Sequence, residues 1–458
     1  MAIEIGILNN GYTDLSSYKN ADGIHLPVGT LQDSLAAQQR IVGRQLKQGI
    51  LADKLGFDYY FLTEHHFQPE GAEFSPNPLM IQAAMAVLTK RIRLGQMANI
   101  IPWHHPVRLA EQAATVDILS NGRLEMGIGR GYQPREAEIL GRPYGAGVQD
   151  GEANRAIFEE SFELLKKCFT EESFSHHGDF FSIPPSYLNW HHPQTIAFYK
   201  QEQINRTLEQ VMTIGVPTGK SGVASATTIL KEITVGPQPL QKPHPQFWMP
   251  MTTRRSAEWA AQNGVNGLYA ATPNNLLNRE LDIYYKAAER AGWPDRLKRG
   301  QFKRGWDTER KRGVAAIRMV HVVDGGVGNL DLYNKGLDMY MDYMKTFGSL
   351  GVQLAEAGFE EASSKSVADA GLNLLGNPHK VFDAVAAMKR AGNFDDMCVI
   401  FVFDAHGLPE QMVEDQMQYF AENIMPVLHS EYGRKEEEPA LFPSPEPAPS
   451  PDLAPVRA

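Results

Sequence analysis

Phe57-Asp58-Tyr59-Tyr60-Phe61-Leu62-Thr63-Glu64-His65-His66-Phe67 is the stretch on which the reading of this chain turns. From Phe57 to Thr63 it is almost continuously apolar or aromatic, which predicts a strand buried on both faces, as in a parallel sheet covered by helices. Lys54-Leu55-Gly56 before it is helix-stop chemistry. The strand runs out into Glu64-His65-His66, so His65 lies just past its carboxyl end. In a parallel α/β barrel that end is the catalytic face. Imidazole there can donate, accept or shuttle a proton near neutral pH, and His65 is the leading candidate catalytic residue.

The same alternation extends in both directions. Ile3 to Leu8 reads as a first strand and Leu31 to Leu55 as an amphipathic helix. Beyond the opening stretch come a helix over Pro76 to Lys90, a strand over Ile92 to Ile101, a helix over Pro106 to Leu119 and a strand over Arg123 to Ile128. Later strands are predicted at Phe247 to Met251, Gly267 to Ala271, Ala315 to Val323 and Met397 to Phe403. Ser120-Asn121-Gly122 and Gln262-Asn263-Gly264 repeat the stop signal. About eight βα units fit a closed barrel better than an open sheet, and such a barrel exceeds about 250 residues as one unit.

Two segments fall outside a minimal barrel. Ser186 to Pro245, between strands 4 and 5, is rich in His, Gln, Thr and Gly and is expected as an insert over one barrel face. Arg296 to Arg312 carries eight Lys or Arg residues around Trp306 and is expected as a mobile loop. One domain over residues 1–434 is therefore expected. Residues 435–458, Glu- and Pro-rich, are expected to be a disordered tail.

Of the 458 residues 43% are hydrophobic and 21% charged, enough for a large core, and the net charge of -10 supplies no basic field for nucleic acid or anionic lipid. Cys168 and Cys398 have no metal-type spacing and give no disulfide framework. The opening residues have no basic start with an apolar run, and no stretch reaches the roughly 20 apolar residues of a spanning helix. A reducing, cytoplasmic setting is expected.

Four His-His pairs (His65-His66, His104-His105, His176-His177, His191-His192) raise a metal site as a possibility. Adjacent residues at a strand end point to opposite sides, however, and no acidic ligand spacing accompanies them, so no metal is expected. Gly127-Ile128-Gly129-Arg130-Gly131-Tyr132 lacks the last glycine of a dinucleotide fingerprint. Its small residues would still let a ligand approach the backbone, and Arg130 offers a planar donor fork to phosphate, against the plainer reading of a surface ion pair. Thr252-Thr253-Arg254-Arg255-Ser256 opens a helix, where free N–H groups favour an anion; simple N-capping is the competing reading.

In this order, these pieces resemble bacterial luciferase and its relatives. The resemblance rests on Thr63-Glu64-His65-His66-Phe67, Ser75-Pro76-Asn77-Pro78, Arg93-Leu94-Gly95, Ile100-Ile101-Pro102, His105-Pro106-Val107-Arg108-Leu109-Ala110-Glu111, Leu119-Ser120-Asn121-Gly122-Arg123 and Gly127-Ile128-Gly129-Arg130-Gly131. It is dense from about Phe57 to Arg155 and resumes from Phe247 to Gly264, leaving the insert, the basic loop and the tail uncovered. It implies a (β/α)8 TIM barrel. It also implies that His65 supports the flavin–oxygen chemistry, that Met97 and Ala98 lie against the flavin ring across a cis peptide, and that Arg130, Arg155, Thr253 and Ser256 hold the FMN phosphate with Tyr132 close by.

Departures matter too. Gly129 replaces a cysteine of luciferase, and Thr252-Thr253 replace a Glu and a Ser, so light emission from a long-chain aldehyde is not expected. The resemblance implies reduced FMN delivered by a separate flavin reductase, O2 activated as a C(4a)-peroxyflavin, and oxygenation of a small apolar organic substrate, with a homodimer as the assembly to test for. The Ser186–Pro245 insert is expected to reshape the substrate pocket, and the Trp306 loop is the candidate lid, with a solvated surface loop as its alternative. Three other readings stand beside this one: hydride transfer from a reduced deazaflavin on the same fold, a non-catalytic flavin-binding partner subunit, and a metal-dependent hydrolase.

Overall fold

The computed structural model describes residues 2–141, 146–201, 205–214, 228–292, 303–345 and 349–434. Eight parallel strands form its centre: β1 (Ile3–Asn9), β2 (Tyr59–Leu62), β3 (Arg93–Gln96), β4 (Leu124–Gly129), β5 (Gln246–Pro250), β6 (Asn266–Tyr269), β7 (Arg312–Val322) and β8 (Met397–Val402). Each pairs with the next in chain order, and β8 returns to β1 with Ile3 opposite Met397, so the sheet is closed. The insertion falls between β4 and β5, as expected. Closure with every strand parallel requires each connection to cross outside, and helices do this: α1 (Leu31–Leu55), α2 (Pro78–Leu88), α3 (Pro106–Leu119), α4 (Gly151–Thr170), α5 (Arg254–Gln262), α6 (Asn274–Ala291), α7 (Leu330–Met344), α8 (Pro378–Gly392) and α9 (Glu410–Asn423). One apolar layer lies between helices and strands, and a second fills the barrel.

The predicted strand Ile92–Ile101 is not continuous. It leaves the ladder after Gln96, passes a cis peptide at Met97–Ala98, and rejoins at Asn99–Ile100 beside the end of β4. Asn99 Nδ2 holds the jog in place by donating to Gln96 Oε1 and to Gly127 O, both at 2.9 Å.

The amino end of the barrel is plugged by aromatic side chains. Trp306 stacks on Trp248 with ring centroids 4.9 Å apart, and its Nε1 donates to Glu4 Oε2 at 2.8 Å. This corrects the expectation of a Trp306 lid. A segment joining a helix to the strand after it lies at the amino end of that strand, opposite the catalytic face. Residues 296–302 lie outside the described residues. In the described part Lys303 pairs with Asp396 at 2.8 Å, and Trp306 is fully buried.

The described part of the insert, residues 186–201, 205–214 and 228–245, is placed in the same sense. Gln241 Nε2 donates to Leu124 O, at the start of β4, at 2.7 Å, and Gln238 Nε2 donates to Cys168 O, near the end of α4, at 2.8 Å. Both anchors are at the amino end, and no described residue of 186–245 lines the cavity at the barrel mouth. The tail, 435–458, lies outside the described residues. Among the described residues no helix is long and apolar enough to cross a membrane.

Candidate active site

A cavity of about 290 Å³ opens at the carboxyl ends of the strands. His65 reaches it from the loop after β2. Its Nδ1 lies 3.3 Å from Glu136 Oε1 and its Nε2 lies 3.4 Å from Glu73 Oε2, while both carboxylates are almost wholly buried. Burial alone would drive the proton off this imidazole, but the two carboxylates outweigh it and raise its pKa to about 9. His66 faces away, 3.4 Å from Glu64. The two members of the pair thus serve different carboxylates, as alternation at a strand end dictates. Among the described residues no group of three or more His, Cys, Asp or Glu side chains is arranged to hold a metal ion.

Beside His65 the wall is made by Met97, Ala98 and Gly129. A Cβ at position 129 would stand 3.0 Å from Ile100 Cδ1 and 3.2 Å from Ala98 Cβ, so the absence of a side chain keeps this wall flat. Met249, Ile317, Met319 and Val402 line the depth of the cavity, and Tyr340, Met344 and Leu350 close it from above. The roof therefore comes from α7 and the chain after it, between β7 and β8, a segment the sequence reading gave no role. The roof stands over the carboxyl ends of the strands, the face where the connecting segments shape specificity in this fold.

At one end the cavity becomes polar and cationic. Arg130 and Tyr132, from beyond β4, and Ser256, in the first turn of α5, all line it. Thr253 caps α5: its Oγ1 accepts from Ser256 N at 3.2 Å and lies 2.9 Å from Ser256 Oγ. Burial, then the neighbouring charges of Arg155 and Arg255, lower the pKa of Arg130, so guanidinium groups are crowded here against their own repulsion. Arg155 is buried on α4, with Glu159 its acidic neighbour at 3.8 Å. Crowded cations at the start of a helix make an anion site.

The structure thus brings His65, Met97, Ala98, Arg130, Tyr132 and Ser256 to one cavity, with Arg155 and Thr253 behind its cationic end. Sequence reasoning missed Glu73 and Glu136, because they reach His65 through loop folding and belong to no motif. A larger groove of about 910 Å³ runs outside the barrel between α5 and α6. Its basic side chains are matched by acids (Arg254 by Glu258, Arg279 by Glu356, Lys286 by Asp282), so the chemistry is assigned to the smaller cavity.

Residues 25–303 match the family model described as luciferase-like monooxygenase. The chain is 36% identical over 149 residues to the uncharacterized protein y4vJ of Sinorhizobium fredii, covering 32% of this chain and 40% of that one. It is 27% identical over 245 residues to the oxygenase component of the flavin-dependent trigonelline monooxygenase of Acinetobacter baylyi, covering 54% and 52%. The chain thus spans about half, or less, of the length of these curated relatives. The oxygenating constituent of 3,6-diketocamphane monooxygenase from Pseudomonas putida, solved with FMN, shares the fold with a TM-score of 0.61 at 19% identity, covering 93% of this chain and 98% of that one.

Proposed function

The chain belongs to the luciferase-like monooxygenase family, and from that premise we propose that it is the FMN-dependent oxygenase of a two-component monooxygenase acting on a small, apolar organic substrate. The observation that carries this reading is the joining, in one barrel mouth, of a cationic corner to a buried, carboxylate-held histidine. Arg130 feels the charges of Arg155 and Arg255, and Glu152 and Glu159, which pair with Arg255 and Arg155, offset that cationic field only in part, which fits a phosphate. Arg130, Arg155, Thr253 and Ser256 would hold the FMN phosphate with Tyr132 beside them, and Met97 and Ala98 would flank the ring. Reduced FMN, when bound, supplies the electrons that activate O2 for transfer of one oxygen atom.

The protein's own groups do the rest. With a pKa of about 9, His65 is protonated at neutral pH, so it stabilises developing negative charge and can give up a proton, whereas a neutral imidazole would act as a base. Met249, Ile317, Met319 and Val402 present no hydrogen-bonding group to a substrate and keep water from the reacting centre. A separate reductase is proposed because a relative is named as an oxygenase component. Cys168 and Cys398 are free and buried, which agrees with a reducing compartment.

The test is anaerobic titration with photoreduced FMN followed by mixing with O2. An absorbance transient distinct from both reduced and oxidised flavin is expected. His65→Ala should keep FMN binding and release more peroxide per flavin oxidised. Tight binding without a transient would favour the deazaflavin reading, and unchanged coupling in His65→Ala would remove the role assigned to that residue.

A further inference from the structure

Two buried carboxylates, Glu64 and Glu73, line the cavity, and FMN binding assigns Glu73 no part. Glu73 lies in the loop that follows β2. That loop doubles back as a narrow hairpin: His65 and Ser75 exchange backbone hydrogen bonds of 3.3 Å each way, and Phe74 N donates to Asn10 O at 3.3 Å. Gly11, at φ +76°, permits this approach, since a Cβ there would lie 2.0 Å from the Phe74 carbonyl oxygen.

The return of the chain delivers Glu73 to a point where four parts of the barrel meet. Oε1 accepts from Asn10 Nδ2, just past β1, at 2.8 Å and from Tyr340 OH, on α7, at 3.1 Å. Oε2 accepts from Gln133 Nε2, beyond β4, at 3.0 Å and stands 3.4 Å from His65 Nε2. An ionised carboxylate has about four acceptor sites, and protein groups surround both oxygens. Glu73 is therefore saturated from within and acts through its neighbours.

We propose that Glu73 is a positioning residue that fixes His65 and docks Tyr340 with one carboxylate, so that the charge on the imidazole and the seating of the α7 roof are set together. This rests on the reading of the cavity as the FMN-dependent site. The titratable groups facing His65 are Glu64 beside it, Glu136 and Tyr132 from beyond β4, and Glu73, with the neutral Gln133 amide 3.3 Å from Nδ1. Of these, Glu64 is occupied by His104 at 2.9 Å and by the Ile100 N–H. Glu136 accepts from His66 N at 2.6 Å and from Gln68 Nε2 at 3.3 Å. Glu73 bonds to Tyr340, whose ring packs edge-on against Tyr12 with centroids 5.2 Å apart.

The test is a pH titration of the full chain labelled with 13C at histidine Cε1, followed by NMR, with the His65 resonance assigned by His65→Gln. Glu73→Gln is expected to lower the His65 midpoint by at least about one unit, a tenfold loss of proton affinity. Glu73→Asp should shift it in the same direction by less. Tyr340→Phe should leave the midpoint in place and increase peroxide released per reduced FMN consumed. A folded Glu73→Gln protein with an unmoved midpoint overturns the proposal. If that variant does not fold, an unmoved midpoint in Glu73→Asp does the same, as does unchanged peroxide release in Tyr340→Phe. The titration needs no turnover, so failure of the wild type to bind FMN would count against the proposed function and leave the effect of Glu73 on His65 standing.

Discussion

Glu64 Oε2 accepts a hydrogen bond from the Ile100 backbone N–H at 2.5 Å, joining the end of β2 to the segment that resumes past Met97–Ala98. Its Oε1 faces His104 Nε2 at 2.9 Å. Burial opposes ionisation of Glu64, but His104, His66 and the Ile100 N–H outweigh it and hold its pKa at about 2. The His104 pKa is raised: burial opposes its charge and Glu64 more than restores it. A lowered carboxylate contributes stability above its ordinary value of 4.5, lost as pH falls toward about 2; a raised histidine contributes below its ordinary value of 6.5, lost as pH rises. The pair is therefore worth most between those two values. Glu64→Ala should cost about 3 kcal/mol in urea unfolding at pH 6, and Glu64→Gln less, because it keeps an acceptor for Ile100.

Trp306→Ala removes a fully buried indole and the donor to Glu4. A loss of about 3–5 kcal/mol is expected by chemical denaturation. FMN affinity, measured on the folded fraction at low denaturant, should stay within about threefold, because one lost hydrogen bond and a distant cavity do not reach the mouth. A tenfold loss would mean that this residue communicates with the site.

Arg130→Ala and Arg155→Ala should each weaken FMN binding by about tenfold or more, in line with loss of a charge-assisted hydrogen bond to phosphate. Riboflavin, which has no phosphate, is the control. Calorimetry should show its affinity unchanged in both variants. An equal loss for the two ligands would place these arginines in structural support and not at the phosphate.

Asp404 is buried just past β8, and desolvation raises its pKa to about 7, against the opposing pull of Arg44. One of its oxygens, Oδ1, has no hydrogen-bond partner. An acid with a raised folded pKa makes the folded state the better proton binder, so its contribution falls as pH rises from the ordinary 3.8 to about 7 and is then constant. Asp404→Asn should therefore stabilise the protein at pH 8, by up to about 4 kcal/mol, and change little at pH 4. Urea unfolding at the two pH values measures the difference.

The barrel was legible in the sequence because each strand is a short apolar run bounded by stop residues, and that signal is local. Much of the site was legible for a related reason: His65, Arg130 and Ser256 sit just past strands β2, β4 and β5, where fold class alone assigns function. Glu73 and Glu136 were not, since an acidic residue in a polar loop has no periodicity and their meeting with His65 depends on a hairpin and a separate strand end. The described part of the basic loop, from Lys303 to Arg312, was misread by its composition. Its cations Lys303 and Arg304 are met by Asp396 and Asp282, and the tryptophan among them turns inward. The roof was missed because Tyr340 and Met344 lie on a helix that looks like any other amphipathic one.

The plugged foot of the barrel has a consequence for traffic. With Trp306, Trp248 and Tyr59 packed across the amino end, the described residues close the interior there and leave it open at the carboxyl end. On the proposed function, flavin, oxygen, substrate and product would share that doorway, and whatever sits deepest would enter first and leave last. Queueing of this kind makes binding order a property of the architecture itself, and product-inhibition patterns should record it.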